Sequence, residues 1–205
     1  MRLRAAIVSV VGVTAAAFVS VSAAGVSRQE ADALSRKIDV IVGAAAVSRP
    51  SIQGGGVAQG RRTMVSEGEI NSWFAFKAAP YLPAGVTNPT VTLVGNGEMI
   101  GGAVVDLDAV ARGRRGILDP LSFLGGKLPV SIVGMLNSKD GQGRFEIRSA
   151  EISGVPVPAV VVEELIAYYA RSSDNPDGIR LGTAFDLPAN IRQIEMMRGQ
   201  MVVVQ

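Results

Sequence analysis

No cysteine and no histidine occur among the 205 residues of the chain. The first absence excludes disulfides, a thiolate nucleophile and zinc–sulfur sites. The second excludes a Ser-His-Asp triad and any imidazole metal ligand. Aromatic residues make up only 5% of the chain, with a single tryptophan. An excess of one charge is also missing. The 20 basic residues outnumber the 18 acidic ones only through Arg2 and Arg4, and without those two the charges cancel. A balanced chain carries no general electrostatic footprint for nucleic acid, so no nucleic-acid partner is expected. General acid–base chemistry is left to carboxylates, lysine or tyrosine, and carboxylate metal sites or glycosidase-type pairs remain formally open.

What is abundant is apolar: 48% of residues are hydrophobic, in a chain long enough for one sizeable domain with accessories. The start, MRLRAAIVSVVGVTAAAFVSVSAAG, has a positive end at Arg2 and Arg4 and an apolar run from Ala5 to Val21. The small residues Val21-Ser22-Ala23 that follow fit a signal-peptidase site. Residues 1–23 are therefore expected to be a secretory signal peptide, which implies a periplasmic or secreted protein. The alternative is an uncleaved inner-membrane anchor, because the run is almost long enough to span. The basic cluster Arg112, Arg114 and Arg115 fits a solvated loop, with contact to anionic headgroups as the alternative.

Within residues 24–47, apolar positions recur at Leu34, Ile38, Ile41, Val42 and Ala45, the spacing of an amphipathic helix. Such a helix either docks on the domain, pairs with a partner or serves as a loose spacer. Residues 48–60 are rich in glycine, serine and glutamine without periodicity and are expected to form a flexible linker. The domain proper covers residues 61–205. Ser66 followed by Glu69 forms a capping box, with Val65 and Ile70 at the staple positions, and Pro80 closes the helix that follows. On this helix Ile70, Trp73, Phe74 and Lys77 share one face, with Phe76 to the side.

The stretch VTLVGNGEMIGGAVVDLD, residues 91–108, resembles a phosphate-binding loop at first sight. A dinucleotide motif needs a helix to begin inside the glycine cluster and the spacing G-x-G-x-x-G. Here the spacing is G-x-G-x-x-x-G, and the following residues are glycine pairs and β-branched side chains. Asn96-Gly97 is instead a hairpin signal. It predicts antiparallel strands over Val91–Val94 and Met99–Leu107. Further strands are expected at Pro129–Leu136 and Arg144–Ile152, joined by a turn at Asp140-Gly141. In the second of these, Phe145 and Ile147 are out of phase with Ala150 and Ile152, which predicts a β-bulge. A short helical stretch is expected at Pro120–Leu124 and a turn at Asn175–Gly178. A second helix is expected from Pro158 to about Arg171, with Val161, Val162, Leu165, Tyr168 and Tyr169 on its apolar side. A last hairpin turns at Arg198-Gly199. Runs of antiparallel strands with few helices indicate an α+β fold, with a long curled antiparallel sheet wrapped around one or two helices.

The unit Ser66-Glu67-Gly68-Glu69-Ile70-Asn71-Ser72-Trp73 resembles the helix start of bacterial tubular-lipid-binding (TULIP-type) proteins, of the YceB-like and LmeA-like periplasmic or cell-wall families. The stretches Leu118–Val130, Ser153–Pro158 and Phe185–Ile191 resemble an uncharacterised secreted bacterial family of that layout. The resemblance runs from Arg61 to the C-terminus. It implies a sheet curled round a helix to enclose an apolar groove for acyl chains, with no catalytic motif. The length of the domain corresponds to a half-module rather than a two-module tube.

By this resemblance, Trp73 and Phe74 of the first domain helix and Leu165 and Tyr169 of the second would line the groove. Ordinary core packing is the simpler account of aromatics at helical spacing. Asp106 and Asp108 would share a strand face, as a solvent-facing polar side or as paired carboxylates. No motif calls for a cofactor, a metal or a catalytic residue. Three functions remain: a non-enzymatic envelope protein that holds or shuttles a lipid, possible contact with a membrane surface included; an envelope assembly module that binds a protein partner through a sheet edge or the Leu34–Ala45 helix; and a carboxylate-dependent hydrolase, which no constellation supports.

Overall fold

A computed structural model of the chain describes residues 25–47, 60–112, 126–169 and 181–205. The signal segment, the linker up to Gln59, Arg114 and Arg115, the helical stretch at Pro120–Leu124 and the Asn175–Gly178 turn lie outside the described residues. The chain is α+β, built from antiparallel strands and four α-helices among the described residues. No helix among them is long and apolar enough to cross a membrane.

Helix α1 (Arg28–Val47) is followed by strand β1 (Arg62–Ser66) and helix α2 (Glu67–Phe76), which leads into a 3-10 turn at Ala79–Tyr81. Two long hairpins follow: β2 (Val86–Gly95) with β3 (Glu98–Asp106), and β4 (Lys127–Lys139) with β5 (Gln142–Ile152). A short helix α3 (Leu107–Arg112) stands between them. Then come β6 (Val155–Val157), α4 (Ala159–Tyr169), β7 (Ala184–Asp186) and a closing hairpin, β8 (Gln193–Met197) with β9 (Gln200–Val204).

These strands form two sheets. The larger runs β2-β3-β4-β5-β6, with β7 also on β5; the smaller runs β1-β9-β8. The closing hairpin therefore does not extend the long sheet. Instead, it crosses the turn ends of both long hairpins. Gly199 N–H donates to Leu93 O at 2.9 Å and Asn96 N–H to Met196 O at 3.1 Å. Ser138 Oγ accepts from Ile194 N–H at 2.8 Å and donates to Ile194 O at 2.9 Å.

The turns follow local chemistry. Asn96 and Gly97 have φ of 53° and 85°, and Asp140 and Gly141 have 52° and 85°, the left-handed pairs that two-residue hairpins require. The bulge lies at Arg148, because Val133 pairs with Ser149 while Gly134 already pairs with Ile147. The extra residue brings Phe145, Ile147 and Ala150 onto one face, where they pack with Val162 of α4. The Phe145 ring lies over Gly134, and a Cβ there would meet it at 2.1 Å. Gly134→Ala is expected to lower the unfolding free energy by about 2 kcal/mol, as overpacking does. Chemical denaturation of the variant with and without Phe145→Leu checks it; a shorter side chain at 145 should return most of the loss, and an unchanged midpoint in Gly134→Ala would show that the ring has room to move.

Helix α1 is docked rather than loose. Ala31, Leu34 and Ile41 are buried, and Ile41 packs with Ile191 and Val203 of the smaller-sheet region. Gln205 Nε2 also donates to Ile41 O at 2.8 Å. Ile38 and Val42, which the spacing placed on the buried stripe, are exposed. The buried line is 31-34-41, because the surface that meets α1 is the neighbouring α2 and the end of the small sheet rather than a broad apolar wall.

The strand expected to reach Leu107 ends one residue earlier. Asp106 Oδ1 accepts from Ala109 N–H at 2.9 Å and so caps α3, and Asp108 Oδ2 accepts from Gly126 N–H at 3.2 Å. The two carboxylates do not share a strand face: one ends β3 and the other lies in the first turn of α3. Asx capping outweighed the β-propensity of the preceding valines. Arg112 likewise ends a helix rather than standing in a loop.

Candidate functional site

Within residues 66–73, the polar side chains Ser66, Glu67, Glu69, Asn71 and Ser72 all have structural partners. Ser66 Oγ accepts from Glu69 N–H at 3.1 Å, and Glu69 Oε2 accepts from Ser66 N–H at 2.8 Å, completing the capping box. Asn71 lies against the outer edge of β2. Its Nδ2 donates to Val91 O at 2.8 Å and its Oδ1 accepts from Val91 N–H at 2.8 Å. Glu67 Oε2 accepts from Leu93 N–H at 2.7 Å. Two side chains one helical turn apart thus satisfy an edge that would otherwise offer unpaired backbone groups.

The side of α2 that faces α1 is polar. Ser72 is 0% exposed, accepts from Ser27 N–H at 3.1 Å and donates to Glu30 Oε2 at 2.8 Å. Lys37 Nζ donates to both oxygens of the buried Glu69 carboxylate at 2.6 and 2.7 Å. Burial pushes the Glu69 carboxyl up, but the Lys37 ammonium and the Ser66 N–H more than offset this and hold it below its ordinary value. Trp73 and Phe74 are on the remaining surface, both half-buried. Trp73 stacks on Tyr81, with centroids 5.7 Å apart, and meets Phe74 edge-on at 6.2 Å.

On α4 the inward positions are Ala159, Val162 and Ile166, which pack on Ile147 and Ala150. Leu165 is half-buried, and Val161 is exposed. The helix is thus turned by about one residue, ~100°, from the side on which valine density placed its apolar stripe. Tyr169 is the last residue of α4, and its side chain lies outside the described residues. Of the four residues expected to line a groove, the three whose side chains are described lie on two separate helices. Trp73 and Phe74 belong to α2 on the β2 edge, whereas Leu165 belongs to α4 over β5, with β3 and β4 between.

An apolar surface does lie between these helices, on the sheet itself. Residues directly paired in an antiparallel sheet point to the same side. One row across five strands is Val91, Gly101, Ile132, Ala150 and Val157. The next row is Ala103, Val130, Ile152 and Val155. Val86, Val105 and Leu128 extend the same face. None of these positions is charged. The opposite face carries Thr90, Thr92, Glu98, Glu146 and Glu151 beside Ile100, Val104, Val133 and Met135, so charge rather than hydropathy distinguishes the two.

Helix α4 covers the β5 part of the apolar face, and Leu93 is buried at its β2 end. The β3–β4 centre is only half-buried among the described residues. Its floor is low because β3 contributes Gly101 and Ala103. A Cβ added at Gly101 would come no nearer than 4.0 Å to Ile132 O, the only described neighbour in reach. Gly101 and Ala103 are shorter than their neighbours Val130, Ile132 and Val105, and this low strip of the face is termed the trough. Its chemistry is that of hydrocarbon: dispersion and water exclusion, with no charged side chain in these rows among the described residues.

These residues were missed by looking for ligand contacts on helices. The signal in β4 is weak, because Pro129 and Val133 between Leu128, Val130 and Ile132 are apolar too and only Ser131 is polar. Compared with known proteins, the chain matches no family model and no curated protein.

Proposed function

We propose that the chain is a non-catalytic envelope protein, periplasmic or secreted, that holds or shuttles a lipid by its acyl chain. The observation that carries this is the uncharged, half-buried face of the long sheet, with Gly101 and Ala103 as its floor. An acyl chain laid there gains about 0.8 kcal/mol for each methylene removed from water. A polar headgroup stays outside, because the trough offers it no partner.

The assembly reading loses one of its two surfaces, since the buried side of α1 is occupied by its own domain. The hydrolase reading has less to rest on, since Asp106 caps α3 and Asp108 accepts from Gly126 N–H. The test is native mass spectrometry of the protein purified from its own envelope, with lipid extraction of the same sample. The expected result is a stoichiometric mass shift that matches an extracted acyl lipid. A clean apo mass, together with failure to take up added phospholipid, would sink the proposal and turn the search to a protein partner.

A further inference from the structure

A second surface is distinct from the trough and has a different composition. It lies where the start of α1 meets the end of α2. Tyr81 is 75% exposed and stacked on Trp73. Phe76 is 40% exposed, with the Arg28 guanidinium 5.0 Å above its ring centre. Lys77 stands beside them, paired at 2.9 Å with Asp32, and Val26 is exposed next to Ser27, which bonds Ser72. Trp73, Phe76 and Lys77 lie within the last turn of α2 and its cap, which brings the two ring contacts into one neighbourhood with the Lys77–Asp32 pair at its edge.

Three observations bear on what covers this patch. Its aromatics are of the amphipathic kind, tryptophan and tyrosine, joined by an arginine and a lysine, the mixture that sits at the level of lipid headgroups. Arg28 carries its charge over the Phe76 ring, while the Lys77 charge is shared with Asp32. The apolar run Ala5–Val21 ends five residues before Val26, so while that run is in a bilayer, before any cleavage, the first residue of the patch is within about 18 Å of it along the chain.

We propose that the face formed by Val26, Arg28, Trp73, Phe76, Lys77 and Tyr81 docks on a phospholipid bilayer surface. The face is separate from the acyl trough: α2 is bonded to the outer edge of β2, and the trough lies inward over β3 and β4. Docking would bring the sheet to the membrane from which a lipid is taken or to which it is given.

Trp73 is the single tryptophan, so its emission reports this face alone. The experiment uses the full chain with vesicles of phosphatidylethanolamine and phosphatidylglycerol carrying a small fraction of lipid spin-labelled near the headgroup. Trp73 emission is expected to shift to the blue and be quenched. Phe76→Ser with Tyr81→Ser is expected to reduce that quenching about fivefold, as the loss of two interfacial rings should. Gly101→Leu is expected to leave it unchanged. Quenching lost in Gly101→Leu but kept in the ring variant would mean that Trp73 senses a lipid in the trough, and would overturn docking. Emission that follows protein concentration rather than lipid would mean that a second copy covers the face, and would also overturn it. The native mass measurement reads the trough independently, so either proposal can fail alone.

Discussion

Gly101→Leu is expected to weaken uptake of a fluorescent fatty-acyl probe about tenfold without lowering the stability of the fold. The position allows this separation. Gly101 lies in extended backbone, and its missing side chain faces open space on the apolar side of the sheet among the described residues. A leucine there occupies the length of about two methylenes of a bound chain, worth ~1.6 kcal/mol in lost burial. That is about a factor of ten in affinity. The backbone suffers no penalty, since replacing a strand glycine by a larger residue removes unfolded-state freedom and is stabilising by about 0.5–1 kcal/mol where the conformation is compatible. Thr92→Leu is the control, because Thr92 pairs with Ile100 on the opposite face. Probe titration and urea denaturation of both variants decide the matter. Undiminished uptake by Gly101→Leu at unchanged stability would remove the trough as the binding site.

Glu69→Ala is expected to cost about 3 kcal/mol of unfolding free energy at neutral pH. Two losses combine. The capping box loses the carboxylate that accepts the Ser66 N–H, a cap worth about 1 kcal/mol. Lys37 loses its partner in the seam between α1 and α2, and breaking a largely buried pair accounts for about 2 kcal/mol more. The second figure sits below that of a fully buried pair because the Lys37 side chain keeps 33% of its surface exposed.

The same carboxylate makes stability depend on pH. Its folded-state value lies below the ordinary 4.5, so the unfolded chain takes up the proton first as the solution is acidified. Its contribution is therefore complete above pH 4.5 and is lost as pH falls through the lowered folded value. Urea midpoints of the wild type and Glu69→Ala should differ most at neutral pH and converge in acid. A gap that stays constant down to strongly acidic solution would show that neither the Lys37 pair nor the charged bond to Ser66 N–H contributes.

Some of the site was legible before any coordinates. The Ser66–Glu69 box, the Asn96-Gly97 and Asp140-Gly141 turns and the bulge in β5 each depend on residues within a few positions of one another. The trough was legible only in part. The apolar run of β4 marks a strand that is apolar on both sides, and strand spacing alone does not tell which rows of β3 and β5 come to lie beside it. A bulge at Arg148 shifts every later residue of β5 to the other face, so the register has to be known to the residue. The helices misled for a related reason. Aromatics and valines drew attention to Trp73, Phe74 and Val161, whereas α2 buries Glu69 and Ser72 and α4 turns Val162 and Ile166 inward. Polar groups with complete hydrogen-bond sets can be buried at little cost, and hydropathy does not register this.

By itself, the sequence determined the class of the fold, its hairpins, its helix starts and the exclusion of thiol and imidazole chemistry. These are consequences of residue type and short-range backbone preference. Tertiary structure alone decided that β1 pairs with β9 near the other end of the chain, that α1 is docked, and that Asn71 closes the edge of β2. It also decided that the small residues of β3 form the floor of an apolar face. Each of these contacts joins segments far apart in the chain, where no local preference acts and only the match of surfaces, hydrogen-bond partners and buried volume selects the arrangement.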